Sequence, residues 1–199
     1  MKQQIIAIHG GDTFETYEEY LLHLKNYSFT LSGLTTRKWR ERLDEFLGSE
    51  YEVLQPKMPN KNNAKYSEWK IWFEKLIPFT NDGVILLGHS MGGIFLAKYL
   101  SENKFPKKIK ATLLVAPPFD TADATYSIGD FALQTTLKDF ALQSEKIILY
   151  FSKDDDVVPF KDLGKYQKAL PSATAKIFED RGHFSQTEFP EIVEDIKSL

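Results

Sequence analysis

A three-layer α/β/α sandwich around a mostly parallel, six-stranded sheet is the fold this sequence predicts, as a single domain over residues 1–199. Three observations lead there. Short apolar runs rich in branched residues alternate with stretches whose apolar residues recur at helical spacing, which is how strands covered on both faces and their crossover helices read. One of the runs, Val84-Ile85-Leu86-Leu87, passes through Gly88-His89-Ser90-Met91-Gly92 directly into a helical stretch, Ile94 to Leu100. Candidate catalytic residues, Gly11, Ser90, Asp155 and His183, follow the first, third, fifth and sixth strands, at the edge where a parallel sheet collects its ligands.

The elements follow in order. Ile5-Ile6-Ala7-Ile8 is the first strand, with His9-Gly10-Gly11-Asp12 after it. Over residues 14–26, Tyr17, Tyr20, Leu21 and Leu24 stand at helical spacing, and Ser32-Gly33 breaks the pattern. A second helix carries Trp39, Leu43, Phe46 and Leu47 on one face and ends near Gly48. Two helical pieces therefore stand where one crossover would suffice, and the extra one is expected near the mouth of the site. Tyr51-Glu52-Val53-Leu54 is the second strand, stopped by Pro56 and Pro59. Tyr66, Trp69, Trp72, Phe73 and Leu76 form a stripe at helical spacing, which reads as core rather than as a platform for a sugar or nucleobase.

After the third strand and its helix, Ala111 to Ala116 is the fourth strand, halted by Pro117-Pro118. A polar, turn-rich loop covers residues 119–130, and a helix is expected over 131–142. Lys146 to Phe151 is the fifth strand, followed by the acidic turn Asp154-Asp155-Asp156 and a helix over residues 160–170. Thr174 to Phe178 is the sixth, with Arg181-Gly182-His183-Phe184 just beyond it, and a closing helix spans residues 190–197. No repeat, low-complexity tract or linker interrupts the series.

The run around Ser90 has the G-x-S-x-G pattern of a nucleophile elbow in the strand–turn–helix setting that the pattern requires. A serine hydroxyl becomes a useful nucleophile only when it is exposed, beside a base and near donors for a developing oxyanion. A sharp turn lifts it clear of the sheet, and glycines two residues either side relieve the crowding that such a turn creates. The following helix presents free N–H groups and the positive end of its dipole to the reacting carbonyl. The series does not fit G-x-G-x-x-G or a P-loop, so a phosphate cradle is not expected.

Composition narrows the chemistry. With 42% hydrophobic and 27% charged residues the chain has the balance of a globular protein, and its net charge of −3 offers no basis for nucleic acid or an anionic membrane surface. It contains no cysteine, which excludes disulfides, thiolate catalysis and cysteine-ligated metals. No two histidines have metal-site spacing, and the acidic triplet lacks the spacing of a calcium loop, so neither metal nor cofactor is expected. Met1-Lys2-Gln3-Gln4 leads straight into a strand, and no apolar run has signal-peptide or membrane-spanning character; a cytoplasmic location is expected.

The chain order serine, aspartate, histidine is the one that accompanies such an elbow. Ser90 would attack an acyl carbon, His183 would take and return the proton, and an aspartate (Asp154, Asp155, Asp156 or Asp120) would fix the imidazole tautomer. Backbone N–H groups of Met91 and Gly11 would bind the oxyanion. His9 is expected to hold the oxyanion loop, and His23 to face solvent.

Taken together, His9-Gly10-Gly11, Gly88-His89-Ser90-Met91-Gly92-Gly93, Asp155-Asp156-Val157-Val158-Pro159 and Gly182-His183-Phe184 resemble the α/β-hydrolase superfamily. Met58-Pro59 followed by a tryptophan-bearing helix is similar to its small serine-hydrolase branch. The resemblance implies a minimal hydrolase fold without a large cap, and Asp155 as the orienting carboxylate, since it precedes Val157-Val158-Pro159 as the family's aspartate does. The function expected is hydrolysis of carboxylic esters of a small-molecule acyl substrate through an acyl-enzyme. A thioesterase, amidase or peptidase would use the same triad, and a non-catalytic binding protein on the same fold is the reading from another class. Little room for a lid lies between the fourth and fifth strands, so short acyl chains are expected, with Phe119, Tyr126, Ile128 and Phe184 as pocket walls.

Overall fold

The computed structural model describes residues 2–122, 127–133 and 136–199. Six strands, β1 (Gln3–Ile8), β2 (Tyr51–Leu54), β3 (Val84–His89), β4 (Ile109–Val115), β5 (Ile147–Ser152) and β6 (Thr174–Phe178), form one sheet in the order β2-β1-β3-β4-β5-β6. Every pairing between them is parallel. The helices are α1 (Tyr17–Asn26), α2 (Leu31–Thr35), α3 (Leu43–Leu47), α4 (Tyr66–Glu74), α5 (Met91–Glu102), α6 (Lys138–Gln143), α7 (Asp162–Ala169) and α8 (Pro190–Lys197). None of the helices among the described residues is long and apolar enough to cross a membrane.

The alternation of side chains along each strand makes the layers. Ile6, Ile8, Leu86, Leu114 and Leu149 face one way and pack with Trp69 and Phe73 of α4, Phe95 and Tyr99 of α5, Phe140 of α6 and Tyr166 of α7. Their neighbours Ile5, Ala7, Ile85, Leu87, Leu113, Val115, Ile148 and Tyr150 face the other way, onto Trp39, Leu43 and Leu47 and onto Ile192 and Ile196 of α8. This double covering explains why β3 and β5 are buried at every position and read as unbroken apolar runs. The strand order reverses between β1 and β3, the switch point beyond whose carboxyl ends ligands bind in such sheets.

Three expectations change. Ser32-Gly33 does not break the chain but lies inside the short helix α2, because Thr30 caps it by accepting the Gly33 N–H. The stretch ending at Leu47 opens as a 3-10 turn at Trp39–Arg42 before α3. The helix expected over 131–142 is replaced by a 3-10 turn at Gly129–Phe131 and by α6, with Phe131 buried as a separate anchor in the core. The aromatic stripe of α4 is core at Tyr66, Trp69 and Phe73, while Trp72 lies on the exposed face.

Candidate active site

The turn from β3 into α5 is built by backbones in contact. A Cβ on Gly88 would stand 2.4 Å from the Gly92 carbonyl oxygen, and one on Gly92 would stand 2.4 Å from the carbonyl oxygen of Ile8 on β1. Only hydrogen fits at either place. Ser90 between them has φ of 53°, a left-handed conformation rare for a residue with a side chain and a recurrent feature of functional turns. Its N–H is held by the Val115 carbonyl at 2.8 Å. The side chain faces the loop after β1, where a Cβ on Gly10 would be 3.2 Å from Ser90 Cβ.

His183 and Asp155 meet across the loops that follow β6 and β5. His183 Nδ1 lies 2.9 Å from Oδ2 and 3.1 Å from Oδ1 of Asp155. The carboxylate is fixed in turn by N–H donation from Val157 and Val158 to Oδ1, at 2.8 and 2.9 Å. The Asp155 side chain is 2% exposed and that of His183 16%, so the pair is shielded while the ring keeps an opening to the cleft. Asp154 is an exposed turn residue whose carboxylate accepts from Ser152 Oγ at 2.5 Å and from Gly182 N–H at 2.8 Å. These bonds hold its carboxyl below the usual carboxylate range. Ser152 Oγ also receives the Arg181 N–H at 2.9 Å, so the aspartate loop and the histidine loop are stitched together directly.

The remaining histidines of the site are braces. His9 Nε2 accepts the Met58 N–H at 2.9 Å, which leaves the proton on Nδ1 to be donated to the Gly10 carbonyl at 2.6 Å. His89 is fixed with equal definiteness. Arg40 Nη1 lies 3.3 Å from Nδ1, and since a guanidinium only donates, Nδ1 accepts; Nε2 then carries the proton donated to the His183 carbonyl at 3.0 Å. Burial holds both imidazoles below their ordinary pKa, His89 well below it, with the charges of His183 and Arg40 adding to the effect at His89. Trp39 braces the next residue by donating Nε1–H to the Phe184 carbonyl at 2.8 Å.

These groups open onto one cleft of about 840 Å³, lined by Gly10, Gly11, His89, Ser90, Met91 and His183, among others. Neither the Gly11 nor the Met91 N–H donates to a protein acceptor among the described residues. The opposite wall comes from Phe14, His23, Leu24, Tyr27 and Phe29, so His23 lines the cleft rather than facing open solvent. Three of the four pocket walls expected from sequence lie in the core instead. Phe119 is buried against the ring of Tyr166, Ile128 is in the same core layer, and Phe184 is packed between Phe178 and Phe189 on the other face of the sheet. The positive φ of Phe184, 51°, accompanies this inward course, the residue after His183 entering the core rather than the cleft. Tyr126 lies outside the described residues.

Several contributors carry little mark in the sequence: Asp154, Ser152, Arg40 and the apolar wall at Leu24, Tyr27 and Phe29. Ser152 has one signal, a polar residue closing an otherwise apolar strand, and so does α1, whose Thr16-x-x-Glu19 forms a capping box.

Known proteins resemble this chain in sequence and in fold. The chain is 28% identical over 162 residues to the serine hydrolase RBBP9 of Rattus norvegicus, a match covering 80% of this chain and 83% of the rat protein. The structure of the ydeN gene product from B. subtilis superposes with a TM-score of 0.79 at 17% identity, over 99% of this chain and 98% of that one. Est1E from Butyrivibrio proteoclasticus gives 0.61 at 15% identity, over 99% and 86%. These two structural likenesses speak for the fold, a minimal α/β-hydrolase sandwich. The sequence model of the serine hydrolase family matches residues 30–193, from the end of the apolar wall through the elbow and both loops of the His183–Asp155 pair, and the chain belongs to that family.

Proposed function

We propose that this serine hydrolase cleaves carboxylic esters through an acyl-enzyme, with Ser90 as nucleophile, His183 as general base and acid, and Asp155 as the group that orients His183. The observation that carries the reading is the buried Asp155 carboxylate holding His183 Nδ1 at 2.9 Å beside a serine of strained backbone in the same cleft. With Nδ1 committed to Asp155, Nε2 remains to accept the Ser90 proton as Oγ bonds to the acyl carbon. The N–H groups of Gly11 and Met91 take the oxyanion. The C–O bond to the leaving group then breaks, with His183 returning the proton to that oxygen. Water, deprotonated by the same ring, releases the acid. No hydrogen bond joins Ser90 to His183 among the described residues; the reaction requires Oγ and Nε2 to come within hydrogen-bond reach in the substrate complex.

The test is covalent labelling with a fluorophosphonate, followed by rates on matched ester, thioester and amide substrates. Ser90 is expected to be the labelled residue, and esters the best substrates. Ser90→Ala is expected to lose turnover by on the order of 10³-fold or more, since members of a triad act as a unit. A folded Ser90→Ala protein with near-native ester turnover overturns the assignment, and a fast amide with a slow ester replaces the substrate class.

A further inference from the structure

Among the described charged side chains that line the cleft, Arg40 takes no part in the ester reaction and stands out for its lack of an ion pair and its burial. Of the four arginines in the chain, Arg37 and Arg42 pair with Glu45, and Arg181 pairs with Glu191. Arg40 alone has no ion pair among the described residues, although it lines the cleft beside Ser90 and His183. Its neighbour Glu41 turns its carboxylate back to the Lys38 N–H. The carboxylate of Asp12 in the same cleft has its pKa raised by burial, and the groups that oppose this are His23, Lys61 and His183 rather than Arg40. Burial pulls the Arg40 pKa down, with only Glu41 opposing. A guanidinium partly withdrawn from water without a counter-ion is costly to keep. One N–H of Arg40 goes to His89, and no other hydrogen bond of its planar fork is made among the described residues, where the residue lines the cleft.

We infer that Arg40 is the receptor for a carboxylate on the acyl part of the substrate, so that the preferred esters are half-esters of dicarboxylic acids. The inference deepens the ester-hydrolase reading and rests on it. Arg40 touches His89, the residue next to Ser90, and lines the same cleft as Ser90, so it is the cation that an acyl chain carried by Ser90 would meet in that wall. A carboxylate held there stays bound after the leaving group departs and orients the acyl-enzyme as well as the ester. The planar fork matches a carboxylate with two parallel hydrogen bonds, a geometry that a lysine does not reproduce.

Two measurements test this. The first compares the nitrophenyl half-ester of glutaric acid with nitrophenyl hexanoate, a neutral ester of similar length. Wild type is expected to favour the half-ester in kcat/KM by about tenfold or more, the size of one charge-assisted pair. Arg40→Met is expected to bring the ratio to about one, chiefly through KM, and Arg40→Lys to keep part of it. Because each protein supplies its own neutral-ester rate, a general loss from disturbing His89 leaves the ratio readable. The second measures glutarate binding by calorimetry in Ser90→Ala, where turnover plays no part, with and without Arg40→Met. Binding that vanishes with Arg40 supports the receptor even if no ester is hydrolysed, which would sink the ester reading alone. Equal rates on the two esters in wild type, or glutarate binding indifferent to Arg40, overturns the inference.

Discussion

At the scale of single residues, the three adjacent aspartates after β5 have three different tasks. Asp155 reaches His183, Asp154 reaches Ser152 and Gly182, and Asp156 lines the cleft. Neighbouring side chains in a tight turn point apart, so one carboxylate can orient the ring while the next secures the loop that carries it. Asp155→Asn is expected to fold and to lose roughly 10²- to 10⁴-fold in turnover, the effect of a wrong imidazole tautomer. Asp156→Asn is expected to stay within a few-fold of wild type. Asp154→Ala, which frees the Gly182 N–H and the Ser152 hydroxyl, is expected to fall between them and to lower the melting temperature. Steady-state kinetics and thermal unfolding of the three variants check the order; a crippled Asp156→Asn beside an active Asp155→Asn would reverse the assignment. Asp155 is legible in the amino-acid sequence through the resemblance, since it precedes Val157-Val158-Pro159 as the family's aspartate does. Asp154 is not, since its partner at Gly182 is 28 residues away and no local pattern records that meeting. The same is true of Arg40 and His89, 49 residues apart.

At the scale of elements, strands and crossover helices are legible because their periods repeat within a few residues, and the elbow because its chemistry is contiguous. The walls of the cleft are not. An aromatic just beyond a strand end suits core and pocket equally, and at Phe119 and Phe184 packing against Tyr166 and Phe189 decides for the core. The segment from Phe14 to Phe29 supplies the wall in their place. Its helix α1 buries no residue, and the segment leaves Tyr17, Leu22, Tyr27 and Phe29 exposed, the last two in the lining of the cleft. It is tied down by Ser127, whose carbonyl accepts from Thr13 Oγ1 at 2.8 Å and whose hydroxyl donates to Glu15 at 2.6 Å. This wall alters the chain-length expectation. Each methylene laid against it gains about 0.8 kcal/mol, roughly fourfold in kcat/KM, until the wall is filled. Rates on nitrophenyl esters are therefore expected to climb from acetate to an optimum at about four to eight carbons. Tyr27→Ser and Leu24→Ser are expected to flatten the climb while leaving acetate within a few-fold. A wild-type maximum at acetate would mean that the acyl chain lies elsewhere.

At the scale of the whole molecule, the two brace histidines couple the site's loops to the stability of the fold. His9 ties the loop after β1 to Met58, and His89 ties the elbow to the loop that carries His183. Each does so as a neutral ring with an accepting nitrogen, aimed at by Met58 N–H in one case and by Arg40 in the other. Protonation would put a hydrogen where each of those bonds now ends. Burial accordingly depresses both pKa values below the 6.5 of a free histidine, to which they return in the unfolded chain. The sign follows from linkage: between the folded and unfolded values the unfolded state binds more protons, so stability rises with pH and is lost as pH falls below about 6.5. Asp12 and Asp162 act in the opposite sense, since burial raises their pKa above 3.8 and the folded state takes up protons first; that relief enters only in the carboxylate range. The melting temperature is therefore expected to decline from pH 7 to pH 5. His89→Gln and His9→Gln can each keep one donor and one acceptor without titrating, so each is expected to reduce the decline, and the double variant to remove most of it. Thermal unfolding across that range decides the matter: a wild-type melting temperature that is level from pH 7 to 5, or glutamine variants that fall in parallel with it, would show that these rings do not hold the loops as neutral braces.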